Sequence, residues 1–289
     1  MDGDLPSFAE VDAELCAAGE FFEIETVDVR GIPTRTWKNA PRNLREVIEA
    51  GTRNSGEGTF IVLGDERISH ARHFELVVQL ATAFVRDVGV RPGDRVAIAM
   101  RNLPEWSVAY FAATAVGAVA VPLNGFWNGA ELAFAITDCD PKVLVADGER
   151  LERIAPHTGE FPGTALIGTR LDDRAHSGDL PAGIRPLDEV FAAAGDASAL
   201  PDVPIDPDDP ASIFYTSGTT SRPKGVYGTH RNVCSNLVSM MYATVRALRR
   251  RGEQAPPRRG PTVMMVPLPH ADPSKATSRW RGWFFCVVR

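Results

Sequence analysis

The sequence predicts an α/β fold, a parallel sheet wrapped by helices, and three observations predict it. Short buried β-favouring runs alternate with helical patterns from residue 59 to residue 146, the rhythm of strand–helix–strand units. The helical stretches show apolar residues recurring at three and four. A loop rich in glycine and hydroxyl side chains follows one of the strand-like runs, where α/β proteins place ligand sites.

The elements follow in order. Residues 1–40 read as a leading arm with one helical piece over residues 8–18, for which Ser7 and Glu10 fit a capping box. Asn43 is placed to cap a helix carrying Leu44, Val47 and Ile48 on one face. Residues 59–63 read as a strand, and Gly64-Asp65-Glu66 as a tight turn into Arg67-Ile68. From residue 70 to residue 88, Phe74, Val77, Val78, Ala81, Phe84, Val85 and Val88 mark an amphipathic helix that Gly89 ends. Pro92-Gly93-Asp94 turns the chain into a buried strand at residues 96–100.

Asn102 stands where an N-cap is expected, with Pro104 in the first turn. The apolar stretch 108–121 is too short for a membrane span of about 20 residues and reads as a buried helix running into a strand at 119–123. A helix at 129–137 and a strand at 142–146 complete the alternation. Beyond residue 156 the pattern loosens, with a short strand at 165–167, a helix at 187–194 and a Pro- and Asp-rich linker at 202–210. Residues 232–250 form a strong helix whose basic C-terminal end suits its dipole. A further strand is expected at 262–266.

With 44% hydrophobic and 24% charged residues, the chain has an ordinary globular composition rather than a disordered one. Cys16, Cys139, Cys234 and Cys286 lack metal-ligand spacing. Together with the absence of a signal-peptide pattern, they set the expectation of a reducing cytoplasm. The net charge is −6, yet from Arg246 onward ten Lys/Arg stand against two Asp/Glu. No aromatic residue interleaves positions 246–259, so bases have no stacking platform there, and a solvated loop is expected rather than a nucleic-acid site. His70 and His73 lie three apart on a helix with no third ligand near in sequence, so an exposed face is expected rather than a metal site. Trp106 and Trp127 read as core or interface residues, and His230 as a helix-start or loop histidine.

The segment from Phe214 to Val226, Phe-Tyr-Thr-Ser-Gly-Thr-Thr-Ser-Arg-Pro-Lys-Gly-Val, reads as chemistry. Hydroxyls surround a glycine, and a proline stiffens the approach to Lys224 and Gly225. Such a loop turns backbone N–H groups, hydroxyls and an ammonium toward one anion, and a polyphosphate is the obvious guest. It is not a Walker loop, because the lysine precedes its glycine and no Ser or Thr follows directly. Ser217 also lacks a nucleophile elbow.

The segment resembles the phosphate loop of the adenylate-forming superfamily, which includes acyl-CoA synthetases. The family form is Thr-Ser-Gly-Thr-Thr-Gly, one variable residue, Pro-Lys-Gly, and only Ser221, in place of the third glycine, departs from it. Pro92-Gly93-Asp94-Arg95-Val96-Ala97-Ile98, Asn102-Leu103-Pro104-Glu105-Trp106 and Val121-Pro122-Leu123-Asn124 resemble family segments as well. So does Val266-Pro267-Leu268-Pro269-His270, with Pro269 at an aromatic position. The resemblance covers roughly residues 40–270 and implies a partial N-terminal domain of the adenylate-forming fold over 41–270, followed by an atypical tail at 271–289.

It also implies a function: activation of a carboxylic acid, most like a fatty acid, with ATP and Mg2+ through an acyl-adenylate, then transfer to coenzyme A. Thr216, Ser217, Gly218, Thr219 and Thr220 would hold the phosphates and Lys224 would supply charge. Gly225 would permit the turn, and His270 would sit near the acyl pocket. No catalytic residue or metal ligand is assigned. The family continues past His270, so a truncated copy is expected, with a reading-frame shift near Leu268. A non-catalytic remnant stays open as the alternative, and an unrelated phosphate-binding kinase or hydrolase ranks last. Breaking a parallel sheet midway leaves an unpaired edge, which the apolar run Phe284-Phe285-Cys286-Val287-Val288 could patch.

Overall fold

The computed structural model describes residues 5–172, 180–216 and 222–253, and the backbone of two strands at 262–266 and 284–288. Helix α1 (Phe8–Leu15) opens with the expected capping box, Ser7 and Glu10 each accepting the other's N–H. A hairpin of β1 (Ile24–Val29) and β2 (Ile32–Trp37) follows, which the sequence does not announce. Most of its side chains are exposed or half-buried, so no apolar period marks it. Helix α2 (Leu44–Ser55) is capped by Asn43, whose side chain accepts the Glu46 N–H. Strands β3 (Thr59–Leu63) and β4 (Glu66–Ser69) form the expected hairpin. Helix α3 (His70–Ala83) widens into one π-helical turn, Phe84–Val88, and Gly89 ends it at φ 72°.

The central alternation then runs β5 (Arg95–Ala99), α4 (Pro104–Ala115), β6 (Val119–Pro122), α5 (Gly129–Cys139), β7 (Val143–Asp147), α6 (Gly148–Ile154) and β8 (Ala165–Thr169). Next come β9 (Arg185–Pro186), α7 (Leu187–Ala194), β10 (Pro210–Thr216), β11 (Lys224–Thr229), α8 (His230–Arg250), β12 (Thr262–Val266) and β13 (Phe284–Val288). The main sheet has the order β11-β10-β6-β5-β7-β8-β9. It is parallel apart from β11, which returns antiparallel to β10.

Side-chain alternation along the strands builds two cores. Val96, Ile98, Val143, Val145 and Ile167 face a layer made by α3, α4 and α7. Ala97, Ala99, Val121, Leu144 and Ala146 face α5 and α6. Covering both faces explains why these strands read as continuous apolar runs.

The leading arm docks on α8. Val11, Leu15 and Phe22 pack with Val238, and Tyr242 and Arg246 both donate to the Asp12 carboxylate. Arg246 and Arg250 also lie over the Phe8 ring, 4.3 and 5.5 Å from its centre.

Several expectations need correction. Leu103, not Asn102, is the N-cap of α4, and no side chain caps that end. The residue before a proline is pushed to extended backbone, and Leu103 has φ −102° and ψ 154°, so helix starts at Pro104 itself. Helix α5 runs on to Cys139, because Asp140 takes the left-handed conformation at φ 43° and closes it there. Finally, His70 and His73 are buried, not exposed. Phe60 from β3 packs 4.5 and 4.8 Å from the two rings, Phe111 from α4 meets His73, and Ser107 Oγ lies 3.0 Å from His73 Nε2.

The apolar run at 284–288 does join a sheet. It lies between β12 and β3 in a four-stranded antiparallel sheet, not at an edge of the parallel one.

Candidate functional site

All the parallel strands point their C-terminal ends to one edge, and the connections after β5, β6 and β7 lie there. Strand β10 is led in by Ala211 and Ser212, both buried, and emerges toward solvent by Thr216. The chain returns along β11, with Thr216 opposite Lys224 and Tyr215 opposite Gly225. Of the expected phosphate-binding residues, Thr216, Lys224 and Gly225 are therefore together at the mouth of one hairpin. Ser217, Gly218, Thr219 and Thr220 lie outside the described residues, as does His270.

Thr216 and Lys224 are both exposed. The Thr216 hydroxyl donates to the Lys224 carbonyl at 3.5 Å, a long bond that an incoming acceptor can replace. Gly225 has a different reason for being glycine than the expected turn. It lies within β11, and a Cβ there would stand 2.8 Å from Ile213 Cγ2. Its missing side chain thus lets β10 and β11 pair across Ile213. We expect Gly225→Ala to lower stability by about 1–3 kcal/mol through this overpacking, measurable as a reduced urea midpoint.

The hairpin is anchored on the α5 side. The Tyr215 hydroxyl donates to Asp138 Oδ2 at 2.6 Å and lies 3.3 Å from the Ala135 carbonyl. Burial, together with the hydrogen bond to Asp138, raises the Tyr215 phenol above the usual tyrosine range, so it stays a donor. The Arg222 guanidinium lies 5.2 Å from the centre of the Phe134 ring. The Trp127 ring meets Tyr215 edge-on, with centres 6.0 Å apart at 72°. Sequence reasoning placed Trp127 only as a core or interface residue, because nothing local says which strand it will face.

His230 is the first residue of α8, and its role is structural. It is fully buried, and its Nδ1 accepts the N–H of Leu44 at 3.2 Å, capping the start of α2 from outside. Burial lowers its pKa to about 4, which keeps it neutral and an acceptor. The linker before β10 is pinned rather than free: Arg231 holds Asp208 at 2.7 and 2.8 Å, and the His230 N–H donates to the Asp209 carbonyl. Among the described residues no group of three or more His, Cys, Asp or Glu could hold a metal ion. No helix among them is long and apolar enough to cross a membrane.

A sequence model of the family described as "AMP-binding enzyme" matches residues 48–271. Feruloyl-CoA synthase of an Amycolatopsis species is 35% identical over 192 residues, 66% of this chain and 34% of that protein. Oxalate–CoA ligase of Arabidopsis thaliana is 32% identical over 176 residues, 61% of this chain and 32% of that protein. The chain spans about a third of the length of these curated relatives. Among solved structures, apo MatB from Rhodopseudomonas palustris aligns at 29% identity with a TM-score of 0.55, over 70% of this chain and 37% of that one. The anthranilate CoA ligase AuaEII in complex with anthranoyl-AMP shares the fold, at 22% identity and a TM-score of 0.56, over 66% of this chain and 36% of that one. The strand–loop–strand hairpin and the parallel sheet behind it both fall inside the matched stretch, and the chain belongs to the AMP-binding enzyme family.

Proposed function

We propose that this chain carries the triphosphate-binding part of a CoA ligase that activates a carboxylic acid through an acyl-adenylate. The observation that supports it most is the exposed pair Thr216 and Lys224, opposite each other where β10 reaches the C-terminal edge of the sheet. In this reading a carboxylate oxygen attacks the α-phosphorus of ATP, the bond to the bridging oxygen breaks, and pyrophosphate leaves. The thiol of coenzyme A then attacks the acyl carbon, gives up its proton, and AMP departs. The protein's contribution is to hold the leaving phosphates in line and balance their charge. The Lys224 ammonium would meet the outer phosphates, and the Thr216 hydroxyl would turn from the Lys224 carbonyl to a phosphate oxygen. Mg2+ would enter with the nucleotide and offset its charge. Ser217, Gly218, Thr219 and Thr220 complete the cradle in this proposal.

The relatives are named for oxalate, 4-coumarate, ferulate and hydroxybenzoate, so an aromatic or short dicarboxylic acid stands beside the fatty acid that the sequence suggests. Carboxylate-dependent exchange of labelled pyrophosphate into ATP tests the proposal on the purified chain, with aliphatic and aromatic acids as separate arms. We expect exchange with at least one arm, and a fall of about a hundredfold in Lys224→Ala. Exchange that is equal in parent and variant overturns the role of Lys224. No exchange with any acid from a folded chain that still binds ATP makes it a nucleotide-binding remnant.

A further inference from the structure

Open α/β sheets bind ligands where neighbouring strands send their chains to opposite faces. Here β5 leads to α4 in one layer, while its neighbours β6 and β7 lead to α5 and α6 in the other. That crevice is not left open. Arg150 fills it with a side chain only 1% exposed. Its Nε donates to the Gly125 carbonyl at 2.7 Å, and Nη2 bonds the same oxygen. Its Nη1 reaches Asp147 Oδ2 at 3.1 Å and Glu149 Oε2 at 2.9 Å. Asp147 in turn accepts the Arg101 and Arg150 N–H groups, both at 3.0 Å.

One helical turn on, Arg153 donates to the Trp127 carbonyl at 2.7 Å and to Glu149 Oε1 at 2.5 Å. Two guanidinium groups thus clamp the loop between β6 and α5 by the carbonyls of Gly125 and Trp127. The fit is close: a Cβ at Gly125 would stand 2.9 Å from the Met100 carbonyl. The clamped loop carries Trp127, whose ring braces Tyr215, the residue beside Thr216. Burying a charged network rather than apolar side chains adds little to stability. What it adds here is a fixed orientation of main-chain carbonyls.

We propose that Arg150 and Arg153 are positioning residues that fix the β10–β11 hairpin through the loop carrying Trp127. The value of this for phosphate binding rests on the function proposed above, but the positioning itself is measured without ligand. Amide hydrogen exchange of the full chain, resolved by segment, is the primary test. In Arg153→Gln, whose side chain is 30% exposed and leaves no buried charge behind, exchange in 210–216 and 224–229 is expected to rise about tenfold. Exchange in β1 and β2 is expected to stay as in the parent. Arg153→Lys, which can still reach the Trp127 carbonyl, is expected to restore most of the protection. Trp127→Leu should loosen the same two segments with Arg153 intact. Arg86→Gln serves as control, since Arg86 bonds Asp87 and the Ala193 carbonyl in the layer of α3 and α7 on the other face of the sheet, and it should leave the hairpin unchanged.

The proposal is overturned if hairpin exchange in Arg153→Gln and Trp127→Leu matches the parent. It is equally overturned if β1 and β2 loosen as much as the hairpin, which marks a merely structural role. Calorimetric titration with ATP·Mg adds a second readout, with an expected loss of about tenfold in affinity in Arg153→Gln. A parent that binds no ATP refutes the function reading, while the exchange data still decide the positioning.

Discussion

Replacing Arg150 with methionine lowers the unfolding midpoint by roughly 10 °C, corresponding to about 3–5 kcal/mol. The reason is the partner left behind. Asp147 is 5% exposed and keeps only two backbone N–H donors once the guanidinium is gone. An uncompensated buried carboxylate costs far more than the apolar contact that methionine restores. Adding Asp147→Asn removes that charge and still leaves an oxygen for the Arg101 and Arg150 N–H groups. The double variant is therefore expected to recover a good part of the loss. Thermal melts of parent, single and double variants check this. If Arg150→Met melts with the parent, the network carries no net stabilisation.

Lowering the pH from 7 to 5 is expected to destabilise the chain by about 4 kcal/mol, and two buried histidines supply it. Burial, aided by repulsion from His70, depresses the pKa of His73 to about 3. Burial alone depresses that of His230 to about 4, against a weaker opposing pull from Asp209. Both folded values lie below the unfolded value near 6.5. The unfolded chain therefore binds protons first, and the stability present above pH 6.5 is lost as the pH falls through that value. Each histidine contributes about 2 kcal/mol over this window. The lowered carboxylates, Glu10, Asp12, Glu23, Asp87 and Asp208, act mainly further into acid. Urea midpoints at pH 7 and pH 5 measure the difference. In a variant carrying His73→Gln and His230→Asn the difference should nearly vanish; if it persists unchanged, other groups carry the acid sensitivity.

The parallel alternation was legible because each strand is covered on both faces and each helix on one. Burial therefore printed itself as unbroken runs such as Val96-Ala97-Ile98-Ala99 and as the three-and-four spacing along α3. The caps at Ser7 and Asn43 were legible because they are decided within four residues. The β1–β2 hairpin was not, since its polar strands owe their place to α8, two hundred residues away. The burial of His70 and His73 was hidden for the same reason. Their faces look polar on the helix, and only the arrival of Phe60 and Phe111 closes them off. At the candidate site, residues 216–225 carried a local signature, whereas its bracing did not. Arg150 and Arg153 carry no local signature in the sequence. Their meaning depends on where the loop from β6 comes to rest.

The contacts between the arm and α8 set an order on the birth of the fold. Asp12 meets Tyr242 and Arg246 across sequence separations of 230 and 234 residues. The arm leaves the ribosome more than two hundred residues ahead of α8, so Val11, Leu15 and Phe22 must wait for that helix before they find cover. Closing so long a loop adds entropy to the delay, so docking of the arm belongs at the end of folding. During translation its apolar side chains stay in water, where a nascent-chain chaperone is the natural shield and premature self-association the natural hazard.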